Sequence, residues 1–287
     1  MSNATLNRRQ FITAALGITG ALGLAACGSS ATAGNSGATS SSAGSSPAST
    51  SSFDGNFVLG FDQDFPPYGY VGDDGSYTGF DIDLAQAVCD REGWKLVPTP
   101  ISWDAKDTLL NSGQITCIWN GFTIEGREDN YTFSEPYMLN EQVIVVKKDS
   151  GITSLSDLAG KTVVTQADSA ALDVLEGDKK DVADTFKSLQ TLPDYNNAFM
   201  QLESGMVDAV ACDLSIAQYQ IAAKPDAYQQ LDPLSSEHYA VGFKKGDDAL
   251  AAKVTSTLKD MYNDGTVEKL IEKYADYGMS AENWVLK

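Results

Sequence analysis

Basic residues are in short supply: 20 lysines and arginines stand against 39 aspartates and glutamates, a formal net charge of −19. The imbalance deepens when residues 1–27 are left out, since they hold Arg8 and Arg9 and no acid. A body this negative excludes nucleic acid and anionic lipid headgroups as partners, because both repel it. Histidine is rarer still. The single one, His238, falls in an extended segment where a satisfied structural imidazole is expected, and an acid–base hydrolase would need a positioned His or carboxylate pair. Cysteine appears at positions 27, 89, 117 and 212, with no C-x-x-C spacing to suggest a metal. Cys89 lies in a helical pattern and Cys117 and Cys212 in apolar strand-like runs, so all three read as buried free thiols. No metal and no other cofactor is expected, and no membrane-spanning helix follows the N-terminal segment.

What the chain does have begins at the N-terminus. Arg8 and Arg9 precede an uncharged stretch from Phe11 to Ala26, rich in Ala, Leu, Gly and Ile and too interrupted for a stable span. A positive region followed by an apolar one is the pattern of an export signal. The stretch ends in Leu24-Ala25-Ala26-Cys27, which resembles the lipobox of bacterial lipoproteins, where the cysteine thiol carries diacylglycerol and the chain is cut just before it. Residues 1–27 therefore read as a lipoprotein signal peptide, with Cys27 as the lipid attachment. Arg8-Arg9-Gln10-Phe11-Ile12 also resembles a twin-arginine export signal, although Asn7 and Thr13 depart from the fuller pattern and ordinary secretion stays open. Residues 28–52 are almost wholly Ser, Ala, Gly and Thr, with no apolar surface to offset ordering entropy, and read as a flexible tether. Together these segments predict an extracytoplasmic protein held to the bacterial cell membrane by acyl chains alone.

Beyond Ser52 short apolar strands alternate with amphipathic helices, which predicts an α/β fold. Strands are expected at Asn56–Phe61, Trp94–Val97 and Ile115–Trp119. Helices are expected at Ile82–Arg91, with Asp81 as its cap, and at Asp104–Ser112, stopped by Gly113. The segment Leu110-Asn111-Ser112-Gly113-Gln114-Ile115-Thr116-Cys117-Ile118 then recurs in kind as Leu202-Glu203-Ser204-Gly205-Met206-Val207-Asp208-Ala209-Val210. Each copy reads as a helix end, a Ser-Gly stop and a strand of small and β-branched residues, and the chain leaves each strand at a polar residue, Asn120 or Asp213. Ligands of open α/β sheets sit outside such strand ends. Two copies predict two similar lobes across a cleft. Glu141–Lys147 and His238–Lys244 are extended apolar runs placed to cross between them, giving a two-strand hinge with lobe 1 at 53–139 plus 239–287 and lobe 2 at 140–238.

A family resemblance covers nearly everything from Phe57 to Tyr274. Gly60-Phe61-Asp62-Gln63-Asp64-Phe65-Pro66-Pro67-Tyr68, Gly79-Phe80-Asp81-Ile82-Asp83-Leu84-Ala85, Gly121-Phe122-Thr123-Ile124-Glu125-Gly126-Arg127, Phe133-Ser134-Glu135-Pro136-Tyr137 and Leu155-Ser156-Asp157-Leu158-Ala159-Gly160-Lys161 occur in order. This set resembles the polar amino-acid binding proteins of ABC importers, which implies a two-lobed periplasmic-binding-protein-like fold of type II. Their ligand is a zwitterion whose burial demands a fixed partner for each charge. The resemblance implies that Arg127 grips the carboxylate, helped by Thr123, the Gly121 amide and Ser169 at a helix start, and that Asp213 accepts the ammonium. Phe65 and Trp103 match the positions that stack on the carbon stem. Asp62, Gln166 and Cys212 match positions touching the variable side chain, which implies a polar ligand with hydrogen-bond donors. The implied partners are a small polar amino acid, an ABC permease and its ATPase, with the binding protein itself a monomer.

The sequence departs from the family pattern at three places. The stretch from Thr123 to Arg127 is one residue short, Thr116 replaces an acid that Asp208 keeps in the second repeat, and Asp168 stands where glycine is common. Two other functions fit the same outline: a ligand sensor serving a receptor partner, and an enzyme of the same fold with dehydratase-like chemistry.

Overall fold

The computed structural model describes residues 53–287. The expected signal peptide at 1–27 with Cys27, and the tether at 28–52, lie outside the described residues. In chain order the elements are β1 (Asn56–Phe61), a small antiparallel sheet of β2 (Asp64–Phe65), β3 (Gly69–Val71) and β4 (Tyr77–Thr78), then α1 (Phe80–Glu92) and β5 (Lys95–Pro100). There follow α2 (Lys106–Asn111), β6 (Cys117–Thr123), β7 (Tyr131–Phe133), β8 (Met138–Lys147), β9 (Thr162–Gln166), α3 (Ala170–Glu176), α4 (Lys180–Ala183) and β10 (Ser188–Leu192). The chain closes with α5 (Tyr195–Ser204), β11 (Ala209–Asp213), α6 (Leu214–Ala223), β12 (Tyr228–Gln230), β13 (Ser235–Lys244), α7 (Asp248–Asn263) and α8 (Thr266–Lys273).

The strands line up in the order β10-β9-β11-β8-β13-β6-β1-β5. Three parallel strands, β5-β1-β6, end on antiparallel β13; three more, β10-β9-β11, end on antiparallel β8. The two halves thus repeat one arrangement. They join where β8 and β13 pair with each other, from Ser235 opposite Gln142 to Tyr239 opposite Met138. Each of these long strands serves the joint with one end and its own half with the other, as expected of two crossovers.

The sequence repeat has a matching structural role in both halves. Gly113 and Gly205 end their helices with φ +76°, a left-handed conformation that suits glycine. One residue before β6, the Thr116 hydroxyl accepts from Val58 N–H at 3.0 Å; one residue before β11, the Asp208 carboxylate accepts from Thr162 N–H at 2.8 Å. Thr116 therefore replaces the acid without losing the bond that ties the third strand of each half to the first.

Two expectations about local structure are corrected. Asp81 does not cap α1: the helix begins at Phe80, and Asp81 is fully buried, accepting from Gly121 N–H at 2.6 Å and from the Tyr137 hydroxyl at 2.8 Å. The cap position belongs to Gly79 at φ +138°, where a Cβ would lie 2.2 Å from the Tyr68 carbonyl oxygen. The third strand does not end at Trp119 but runs to Thr123, because β13 continues the pairing through Ala240 opposite Phe122 and Tyr239 opposite Thr123. Smaller differences occur at β5, which extends from Lys95 to Pro100, and at the second helix, whose first turn Trp103–Ala105 is 3-10.

The core follows the pattern of strands covered on both faces. β6, β9 and β11 are buried at every residue. Phe57, Leu59 and Phe61 of β1 pack with Leu84, Val88 and Cys89 of α1, while Trp103, Ile118 and Phe122 fill the opposite face. Ile144, Val146, Val163, Leu175 and Ala211 do the same in the other half. Cys89, Cys117 and Cys212 are free and buried, and burial pushes the Cys89 thiol up to about 12. Among the described residues no helix is long and apolar enough to cross a membrane, and no group of metal-ligating side chains occurs.

Candidate functional site

The C-terminal ends of the parallel strands from both halves converge on one small cavity, about 20 Å³. Phe65, Trp103, Gly121, Thr123 and Arg127 line it from the β1 half; Gln166, Ser169 and Asp213 line it from the β9 half. Two residues matched to the variable side chain are not on the lining: Cys212, fully buried in β11, and Asp62, whose Oδ2 accepts from Gln166 Nε2 at 2.6 Å. That contact links the two halves directly. Asn120, expected only as the polar residue at a strand end, and Ala170, not singled out in the sequence, also line the cavity.

At one end sits Arg127, in the turn after β6, closed by its N–H donating to the Ile124 carbonyl at 2.9 Å. Its guanidinium lies 5.1 Å from the centre of the Phe122 ring and reaches Asp173 Oδ2 at 2.9 Å, with longer contacts to the carbonyls of Thr123 and Asp168. The Asp168 carbonyl also accepts from Trp103 Nε1 at 3.1 Å, and its carboxylate takes Lys106 Nζ at 2.6 Å. Asp168 adopts φ +62°, which accounts for the glycine common at this position. Its charge answers that of Lys106, a lysine only 3% exposed. Ser169 caps α3, its Oγ accepting from Leu172 N–H at 3.2 Å.

The other end is built around Asp213, the last residue of β11. Three donors converge on its Oδ1: Asn140 Nδ2 at 2.9 Å, Gln142 Nε2 at 2.8 Å and the Tyr239 hydroxyl at 2.7 Å. No other described residue donates to Oδ2, although Asp213 is 4% exposed and lines the cavity. A carboxylate oxygen without a protein donor, on a residue that lines a cavity, is an acceptor held ready for a cation. Behind it, Glu237 Oε1 accepts from the same Asn140 and Gln142 amides, both at 2.8 Å, and from the Thr123 hydroxyl at 2.7 Å. Burial pushes both carboxyls up; for Glu237, whose value rises to about 7, the neighbouring Asp213 charge adds to the effect.

Two donors assigned by resemblance are engaged elsewhere. The Gly121 N–H donates to Asp81 and the Thr123 hydroxyl to Glu237, so neither hydrogen is free for a ligand carboxylate in this conformation. Both residues still shape the cavity wall. Phe65 and Trp103 are 6% and 8% exposed, held by Tyr195 and Phe122 respectively. Sequence reasoning missed Glu237, Asn140 and Gln142: the crossing segments were expected from Glu141 and His238 onward, as apolar runs, whereas the strands begin at Met138 and Ser235. For Asn120 the signal was the one that picked out Asp213, a polar residue where the repeated strand was expected to end.

Two α/β lobes of one topology, joined by two crossing strands and sharing a cleft with one guanidinium and one ready carboxylate, define a periplasmic-binding-protein-like fold. Comparison with known proteins narrows the class. The chain belongs to the bacterial extracellular solute-binding proteins, family 3, whose pattern matches residues 57–277. It is 28% identical over 224 residues to the L-cystine-binding protein TcyJ of Escherichia coli strain K12, covering 77% of this chain and 82% of that one. It is 28% identical over 222 residues to the arginine-binding extracellular protein ArtP of Bacillus subtilis strain 168, covering 76% and 85%. Among solved structures, a histidine-bound ABC uptake transporter substrate-binding protein from Streptococcus pneumoniae superimposes with a TM-score of 0.76 at 34% identity, covering 81% of this chain and 95% of that one.

Proposed function

We propose that this protein is the extracytoplasmic substrate-binding component of an ABC importer, that it closes on a polar amino acid and that it delivers it to the permease. The observation that carries this reading is the pairing of Arg127 with the free Oδ2 of Asp213, from opposite halves, on one cavity. A free amino acid carries a carboxylate and an ammonium on one carbon, and burying both requires a partner for each. In the open form each lobe, 53–139 with 239–287 and 140–238, exposes half of the site. The ligand docks against Arg127, Phe65 and Trp103; the second lobe then brings Asp213 and Gln166. Closure is favoured because only the closed state satisfies both poles, and the permease and its ATPase read closure as occupancy. The ligand carboxylate takes over Arg127 from Asp173, a residue whose side chain is 60% exposed and easily returned to water. Cys27 anchors the monomeric protein to the outer face of the cell membrane through acyl chains, after export by the twin-arginine or the general route.

The experiment is a thermal-shift screen of the purified protein against the common amino acids, followed by calorimetry. A ligand at large excess over a micromolar Kd raises stability by roughly 3–4 kcal/mol. A flat screen across all of them would remove the proposal. An enzyme of the same fold is the second reading, favoured by the buried Asp213–Glu237 carboxyl pair, which shares two amide donors. Against it, Glu237 is absent from the cavity wall and its Oε1 is fully engaged. Product formation from amino acids or prephenate-like compounds would reverse that preference.

A further inference from the structure

We infer that the amino acid bound here carries a positively charged, N–H-rich side chain. The inference rests on the amino-acid-binding reading and goes beyond it, since the relatives named above bind cystine, arginine and histidine, and membership alone does not set the ligand's charge. Once a zwitterion's carboxylate and ammonium are assigned to Arg127 and Asp213, the groups that remain for its side chain are the Gln166 and Asn120 carboxamides on the wall and the Asp62 carboxylate against Gln166. Asp62 is 6% exposed, and its partners are neutral: the Asp64 N–H at 2.9 Å and Gln166 Nε2 at 2.6 Å. Asp64 and Asp194 add negative charge close by, and their own donors are again amides, from Asn196 and Asn197. No lysine or arginine among the described residues pairs with any of the three.

Gln166 reinforces the bias. Its Nε2 already donates to Asp62 and to the Pro193 carbonyl at 3.0 Å, so both amide hydrogens are engaged and only the oxygen is left to accept. A second observation points to a ligand independently. Asn120 lines the cavity at 1% exposure, and neither its Nδ2 nor its Oδ1 has a partner. Buried carboxamides are almost always hydrogen-bonded, and this one is completed by a group entering the cavity. A guanidinium or ammonium donates to the Asn120 Oδ1 and neutralises Asp62 at the same time, while the Asn120 Nδ2, itself a donor, takes an acceptor elsewhere on the ligand. An acidic side chain would add its charge to that of Asp62 and of the nearby Asp64 and Asp194, and a neutral one would leave Asp62 buried without a counter-charge.

The test needs only the wild-type protein and matched ligands in calorimetry at pH 7.5. Arginine and citrulline share size and shape and differ in charge; lysine, ornithine, glutamine and glutamate complete the set. The expected result is that the tightest of arginine, lysine and ornithine binds at least tenfold more strongly than citrulline and glutamine, with glutamate weakest. Asp62→Asn should bring the arginine-to-citrulline ratio to within about threefold, and if that variant fails to fold the wild-type ratios decide alone. Citrulline, glutamine or glutamate bound as tightly as the best cation would overturn the charge inference while leaving amino-acid binding intact. Failure of every amino acid to bind would instead remove the reading on which it rests.

Discussion

Asp213 and Glu237 accept hydrogen bonds from the same two side-chain amides, Asn140 Nδ2 and Gln142 Nε2, each amide donating to one oxygen of each acid. The pair therefore stitches β11 to β8 and β13 at the joint between the halves. The carboxylate that faces the cavity is held by the two strands that join the halves, so the ligand site and the joint share one hydrogen-bond network.

Stability of the ligand-free protein should fall as pH rises from 5 to 7.5. Burial raises Glu237 from 4.5 to about 7, Asp81 from 3.8 to about 7 and Asp62 from 3.8 to about 6. In the windows between those values the folded chain holds protons that the unfolded chain has released, so raising pH costs folded stability. Denaturant titrations should show a loss of up to about 6 kcal/mol over that range, and Glu237→Gln should flatten the slope. A wild-type protein that is more stable at pH 7.5 than at pH 5 would contradict the raised values.

Asp81→Ala should destabilise the fold by about 2–4 kcal/mol in urea titration, because it strands the buried Gly121 N–H and the Tyr137 hydroxyl together. A variant within 0.5 kcal/mol (roughly the scatter for surface substitutions) would show that these donors find other partners.

Gly121→Ala should cost about 1–3 kcal/mol in the same assay and loosen the cavity wall. The backbone stands at φ +59°, and the added methyl meets Tyr239 at 3.0 Å and Phe65 at 3.1 Å. Unchanged stability and ligand affinity would mean that the two rings yield freely.

Arg127→Ala should weaken ligand binding by roughly 3 kcal/mol or more, since the ligand carboxylate would be buried unpaired. Asp213→Asn should shift preference toward des-amino analogues. Near-normal affinity for the amino acid in either variant, by calorimetry, would take that residue out of the site.

Asp168→Asn keeps a residue that tolerates the left-handed backbone and removes the charge that meets Lys106 across the cleft. The side chain of Asp168 is 54% exposed, so the effect should fall on closure and not on folding: ligand release about tenfold faster in stopped flow, with Tm nearly unchanged. An unaltered off-rate would mean that this ion pair adds nothing to the closed state.

Strands β1, β6 and β11 and the recurrence of a helix, a Ser-Gly stop and a strand were legible because they rest on local periodicity and backbone preference. From those, and from an ordered set of motifs, followed two lobes, two crossing strands and a candidate site in which Arg127 and Asp213 share one cavity. Asp81 was misread because an acid beside a helix start usually caps it; here the first turn faces the core, and only packing shows that its carboxylate holds Gly121. Glu237 left no local trace. Its neighbours in the chain are strand residues, and its chemistry comes from Asp213, Asn140 and Gln142, brought together by pairing between β8, β11 and β13. What the amino-acid order determined by itself was therefore the elements, their repetition and the charged residues at their ends. Tertiary structure alone decided which of those charges face one another and which donors are already engaged, because hydrogen bonding and desolvation depend on distances between residues far apart in the chain.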